Sequence, residues 1–348
     1  MYMLIQGRLN EAERLCQSAI DRAEREGHGE FPAAGSLYIT MARIELERNQ
    51  LDKAQANLNT GLRIARPGGF IEAERTGRYV RAQLAALHGD LEAAVNILED
   101  LERIVTAMDE PYVVAELSWQ WAAHYIKTGD LEAAREKLQI LDEKIALTRH
   151  ANLLLWQGWL FPRLLAAEGR YQEALSALDE SIQRAWAADS QGELVHLLAL
   201  QAVALDALGE KLPARTALLE GLALGASENY IWRWLDAGPE LAPLLRDLRT
   251  DDEASQDFIP YLESLLDACQ MVYGEAEQSQ PQDLPEPLTP RELEIMDLIC
   301  QGYSNPQIAS QLVVTLNTVK KHTSNIYGKL GVRSRTQAIA RAHELNLL

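Results

Sequence analysis

The chain has 348 residues, 47% of them hydrophobic and 24% charged, with a formal net charge of −18. That length accommodates two or more domains and a large core. No apolar run reaches the ~20 residues of a membrane-crossing helix, and "MYMLIQGRLNEAERL" lacks the basic-then-apolar pattern of a secretory leader, so neither a membrane nor an exported protein is expected.

The first pattern along the chain is a repeat. "GRLNEA" begins at Gly7, "NQLDKA" at Asn49, "GDLEAA" at Gly89 and again at Gly129, "GRYQEA" at Gly169 and "GEKLPA" at Gly209, at intervals of 42, 40, 40, 40 and 40 residues. Each copy reads as a helix–turn–helix hairpin. A glycine ends the first helix in a left-handed conformation, and an acidic residue near the start of the second meets the positive end of the helix dipole. Ala54, Ala94, Ala134, Ala174 and Ala214 fall at equivalent positions, as do Leu58, Leu98, Leu138 and Leu178. Such a stripe of small and large apolar residues cannot be buried by one hairpin alone, so neighbouring hairpins must stack into a superhelix. The pattern resembles the tetratricopeptide class, although the usual period there is ~34 residues. Only "MYMLIQ" precedes Gly7, so the first repeat lacks a helix and shows no capping unit. The expectation is a truncated gene product or a piece of something longer.

The repeats are expected to occupy residues 1–235. After them, "YIWRWLDAGPELAPLLRDL" and "FIPYLESLLDACQMVYG" read as closing helices over 236–274, and "EAEQSQPQDLPEP" (275–287) as a flexible, proline-rich linker. From 288 to 348 the helix starts are written out. Thr289 is an N-cap with Pro290 at the first helical position and Glu292 as capping-box partner; Ser304 pairs with Gln307, Thr315 caps a third helix, and Ser334 caps a fourth opposite Gln337. The short break "VVT" between helices two and three fits a helix–turn–helix. In helix three, 316–330, Val319, Thr323, Ile326 and Leu330 form the inward stripe, leaving Lys320, Lys321, Ser324 and Asn325 outward. This region carries seven Lys/Arg against four Asp/Glu, a net +3, while the rest of the chain carries −21. The basic part is compatible with nucleic acid and the acidic part repels it.

"LTPRELEIMDLICQGYSNPQIASQL" followed by "NTVKKHTSNIYGKLGVRSRTQAIARA" resembles the LuxR-type helix-turn-helix of bacterial transcription regulators. The resemblance implies a four-helix domain whose third helix enters the major groove of double-stranded DNA and whose fourth often dimerises. By position it makes Lys320, Lys321 and Ser324 base-facing, and Thr318, His322, Asn325, Lys329 and Arg335 phosphate-facing. Forty-residue hairpins, "WRWLDAGPELAPLL", a linker and this domain together resemble the C-terminal half of MalT-like, ATP-dependent LuxR regulators. The implied function is a sequence-specific DNA-binding transcription regulator, an activator, working as a homodimer or higher oligomer with RNA polymerase as partner and an inducer sensed by the repeats. No GxxxxGK[ST] phosphate loop is present in this sequence, so ATP control does not carry over.

Of the seven tryptophans, Trp119, Trp156 and Trp159 are the candidates for a ligand groove on the concave side, where a sugar, small inducer or peptide would bind; tryptophan is also a common inter-helix filler. The three cysteines, Cys16, Cys269 and Cys300, form no CxxC pair or disulfide framework, which points to a reducing cytoplasm and to small buried apolar roles. No catalytic constellation, cofactor motif or metal spacing stands out, so an enzyme is not expected. The rival expectation is a protein-interaction scaffold acting mainly through the repeat groove.

Overall fold

The computed structural model describes residues 7–68, 71–108, 110–148, 151–250, 257–273, 288–312, 314–332 and 334–344. Among them there is no strand; the protein is all-α. The stretch 275–287, expected as a linker, lies outside the described residues.

A half-hairpin helix, α1 (Leu9–Arg25), precedes five complete hairpins: α2 (Pro32–Glu47) with α3 (Leu51–Ala65), α4 (Ile71–Leu87) with α5 (Leu91–Met108), α6 (Pro111–Thr128) with α7 (Leu131–Thr148), α8 (Ala151–Ala167) with α9 (Tyr171–Ala187), and α10 (Gln191–Ala207) with α11 (Lys211–Gly225). All six turn residues of the repeat have positive φ: Gly7, Asn49, Gly89, Gly129, Gly169 and Gly209. Asn49, at φ 56°, is of a type that, with aspartate, tolerates this conformation better than other side chains. The repeated alanines and leucines are all buried, none more than 4% exposed. Hairpin α2–α3 is drawn tightest by a pair of glycines: a Cβ on Gly35 would lie 2.6 Å from the Gly61 carbonyl oxygen, and one on Gly61 2.8 Å from that of Gly35.

Three further helices follow: α12 (Trp232–Leu235), α13 (Leu241–Thr250) and α14 (Ile259–Tyr273). They pack against the last hairpin. Trp234 is fully buried and donates its indole N–H to the Tyr261 hydroxyl at 3.0 Å; that hydroxyl in turn donates to the Tyr230 carbonyl. Helix α10 is buried nearly all round, which accounts for the largely apolar stretch "LVHLLALQAVALDALG", broken only by His196, Gln201 and Asp206 before its closing glycine.

Helix α1 packs against the far end of the array. Leu9, Ala12, Cys16 and Ile20 of α1 share one core with Leu194, Leu198, Leu218, Trp234 and Leu262. Polar bonds reinforce this seam. The Asn10 N–H and side-chain amide donate to Glu228 Oε2 (2.6 Å) and the Ser227 carbonyl (2.9 Å), Arg48 donates to the Glu228 carbonyl (3.3 Å), and the Ile231 N–H donates to the Glu47 carbonyl (2.8 Å). The superhelix therefore closes on itself, first hairpin against last, and the apolar face that an open solenoid would leave bare is covered from within the chain.

The remaining helices, α15 (Pro290–Cys300), α16 (Asn305–Gln311), α17 (Leu316–Leu330) and α18 (Arg335–Glu344), have their own core of Leu288, Ile295, Met296, Ile299, Ile308, Val319, Ile326, Leu330, Ala338 and Ala342.

Candidate nucleic-acid interface and interior cavity

Polar side chains fix the helix starts of the small C-terminal domain. The Thr289 N–H donates to Glu292 Oε2 (2.8 Å) while the Glu292 N–H donates to Thr289 Oγ1 (3.3 Å), a complete capping box. Ser304 N–H donates to Gln307 Oε1 (2.9 Å), Thr318 N–H to Thr315 Oγ1 (3.1 Å), and Gln337 N–H to Ser334 Oγ (3.2 Å). Gly331, at φ 67°, ends α17, and the Val332 N–H returns to the Tyr327 carbonyl.

These caps set the rotation of α17. Val319, Thr323, Ile326 and Leu330 are all buried, and the Thr323 hydroxyl is satisfied by the Val319 carbonyl at 2.9 Å. Lys320, Lys321, Ser324 and Asn325 are all exposed, together on the opposite face. The helix thus presents two ammonium groups, a hydroxyl and a carboxamide on a ridge with no acidic residue among them. Such donors and acceptors fit the phosphates and base edges of a major groove. Thr318 is half-buried, its hydroxyl shared with that of Thr315 at 2.8 Å, and it marks the positive end of the helix dipole. His322 is half-buried on the flank.

Lys329 and Arg335, expected at phosphates, turn inward instead. Lys329 Nζ donates to Glu292 Oε2 at 2.9 Å, and Arg335 donates to the carbonyls of Ile299 (2.9 Å) and Tyr303 (2.7 Å), capping the C-terminus of α15. Both bind α17 and α18 to α15, which corrects their assignment to the DNA-facing set. Burial of Glu292 opposes its charge, but the Thr289 N–H and the Lys329 ammonium outweigh that and hold its carboxyl below the usual range.

The second site lies inside the closed superhelix, a cavity of about 470 Å³. Trp119, Trp156 and Trp159 line one wall together with Trp232. Trp119 stacks on Trp156 at 5.4 Å between ring centres and meets Trp159 edge-on at 6.0 Å. The indole N–H groups of Trp119 and Trp159 are buried without a hydrogen-bond partner among the described residues. The other tryptophans divide between packing and surface: Trp121 and Trp234 are core, and Trp186 is exposed.

Charged groups from both ends of the array form the cavity's floor. Arg233 pairs with both Glu47 oxygens (3.0 and 3.1 Å), and its guanidinium lies 4.5 Å from the centre of the Trp159 ring. Arg163 pairs with Asp236 at 2.9 Å. His196 Nδ1 faces the Arg233 carbonyl at 3.0 Å and so carries the proton, with Nε2 3.7 Å from Asp236. Burial pushes His196 down to about 4 despite Asp236, and pushes Glu193 up to about 7 despite Arg233. Sequence reasoning missed these residues: Glu47 and Arg233 stand 186 positions apart and carry no local motif.

A family model described as the MalT-like TPR region matches residues 1–251, and one described as bacterial regulatory proteins, luxR family, matches residues 286–342. The chain is 26% identical, over 99% of its length, to the HTH-type transcriptional regulator MalT of Serratia proteamaculans, and equally so to those of Yersinia enterocolitica and Yersinia pestis. It spans 39% of the length of these relatives.

Proposed function

The chain belongs to the MalT-like TPR family and carries a luxR-family domain, and from that premise we propose that it is a sequence-specific DNA-binding transcription regulator, an activator, whose α17 lies in the major groove. The observation that carries this reading is the division of α17 into a buried apolar stripe and an exposed ridge of Lys320, Lys321, Ser324 and Asn325. Phosphate contacts orient the helix and the ridge reads bases. A domain of net +3 has little electrostatic attraction of its own, so binding as a homodimer or oligomer on a two-part site fits the charge. RNA polymerase is the partner that activation requires.

Fluorescence anisotropy with genomic fragments at several salt concentrations tests the proposal. The parent should select particular fragments and weaken as salt rises, because phosphate contact releases counterions. The Lys320→Ala/Lys321→Ala pair should lose roughly 10- to 100-fold in affinity without losing its fold. Equal affinity in parent and variant rules out α17 as the recognition helix.

The repeats supply the sensor in this reading. An inducer occupies the cavity against Trp119, Trp156 and Trp159, and its binding alters assembly and so the local concentration of DNA-binding domains. A metabolite panel screened by thermal shift checks this. A genuine inducer should raise the melting temperature of the parent and not of a Trp156→Ala/Trp159→Ala pair; compounds that shift both equally count against it. Scaffolding through the groove alone would predict a stable protein partner and no selection among DNA fragments.

A further inference from the structure

The exposed ridge of α17 extends beyond the residues that sequence reasoning assigned to it. Asn317 occupies the second position of the helix, is exposed, and its side chain makes no hydrogen bond with any described residue. At roughly 100° per residue, Asn317 points between Lys320 and Lys321 and lies within about 20° of Ser324. The N-terminal part of a helix inserted in the major groove is the part whose side chains reach base edges. A carboxamide there has the donor and acceptor spacing to pair with N6 and N7 of an adenine.

At the other end of the ridge is Gly328. It lies inside α17, is exposed, and a Cβ added to it would meet nothing within 4 Å. Its φ is not in the left-handed range, so neither backbone conformation nor packing within the protein calls for glycine. Glycine inside a helix is a poor choice unless something must come close. Eleven residues after Asn317, Gly328 falls within about 20° of the same line and roughly 16 Å further along the axis.

We propose that Asn317 is a further base-reading residue, paired with an adenine, and that Gly328 is the clearance that lets the same ridge seat against the duplex. The proposal rests on the reading of α17 as the recognition helix. The experiment is a binding-site selection from a randomised duplex pool with the full chain, repeated for Asn317→Ala, with affinities for the selected site then measured for Gly328→Ala. The parent should return a consensus containing an A·T pair at which Asn317→Ala loses roughly tenfold of its discrimination, while the other positions persist. Gly328→Ala should melt at a higher temperature than the parent yet bind the selected site more weakly, two opposite changes that a purely structural role would not produce. An unchanged consensus in Asn317→Ala overturns the base-reading assignment, and unchanged affinity in Gly328→Ala overturns the clearance. A parent that selects no consensus sinks the regulator reading itself, a result distinct from either.

Discussion

The two regions of this protein differ in how consistently side chains cap the starts of their helices. In the C-terminal domain, side-chain oxygens of Thr289, Thr315 and Ser334 accept hydrogen bonds at the first turns of α15, α17 and α18. In the repeats such caps are confined to some starts: Asp90 and Asp130 accept from the N–H groups of Ala93 (2.9 Å) and Ala133 (3.3 Å) at α5 and α7, whereas α3 after Gln50, α9 after Arg170 and α11 after Glu210 begin with no side-chain cap. Size accounts for the contrast. A small domain buries a small share of its surface, so caps worth about 1 kcal/mol each are a sizeable part of its net stability. The superhelix has large cores and can leave helix starts to the stacking of its hairpins.

Trp234→Ala tests the comparison hardest. Trp234 is fully buried in the core shared by α1, α10 and α14, so its truncation should cost about 3–5 kcal/mol. Differential scanning calorimetry should show a lower transition for the repeats and an unchanged one for the C-terminal domain; a shared drop would mean the two regions melt as one. Glu47→Ala should follow at about 3 kcal/mol, because it leaves the Arg233 guanidinium without its carboxylate at the seam. Cleavage near the seam by a nonspecific protease should accelerate in that variant.

Next comes pH. The folded-state value of Glu193, about 7, lies above its unfolded value near 4.5, so the native protein holds more protons between them and this group lowers stability as pH rises through that window. Glu193→Gln should therefore stabilise the repeats by about 2–3 kcal/mol at pH 8 and little at pH 5. His196 works in the opposite direction. Its folded value near 4 lies below the usual 6.5, so stability is lost as pH falls through that range. Urea melts at the two pH values separate the contributions. The smallest effect expected is Thr289→Ala, about 1 kcal/mol on the C-terminal transition. Its counterpart Glu210→Ala, at an uncapped helix start in the repeats, should change stability by less than about 0.5 kcal/mol. Equal effects would remove the distinction between the two regions.

What the sequence made legible follows the same division. Turns, hairpin period, buried stripe and capping boxes depend on neighbours within a few residues, and each can be read from spacing. The rotation of α17 was legible because Val319, Thr323, Ile326 and Leu330 leave only one face for the lysines. Lys329 and Arg335 were misassigned because their acceptors lie 30 or more positions upstream, at Glu292, Ile299 and Tyr303. Trp119, Trp156 and Trp159 could be nominated as a groove, but their cavity floor could not, since Arg233 and Glu47 meet only when the superhelix completes its turn. The same closure brings α1 against α10, α12 and α14, a contact that no local pattern announces.

That closure also constrains how such an array can change over generations. An open stack of hairpins gains or loses a unit with only local consequences, because each unit touches only its neighbours. Here an inserted forty-residue unit would carry Leu9 and Ile20 past Trp234 and part Glu47 from Arg233, opening the ring at this seam. The register between α1 and α14 is thus held by contacts that span the whole set of hairpins between them.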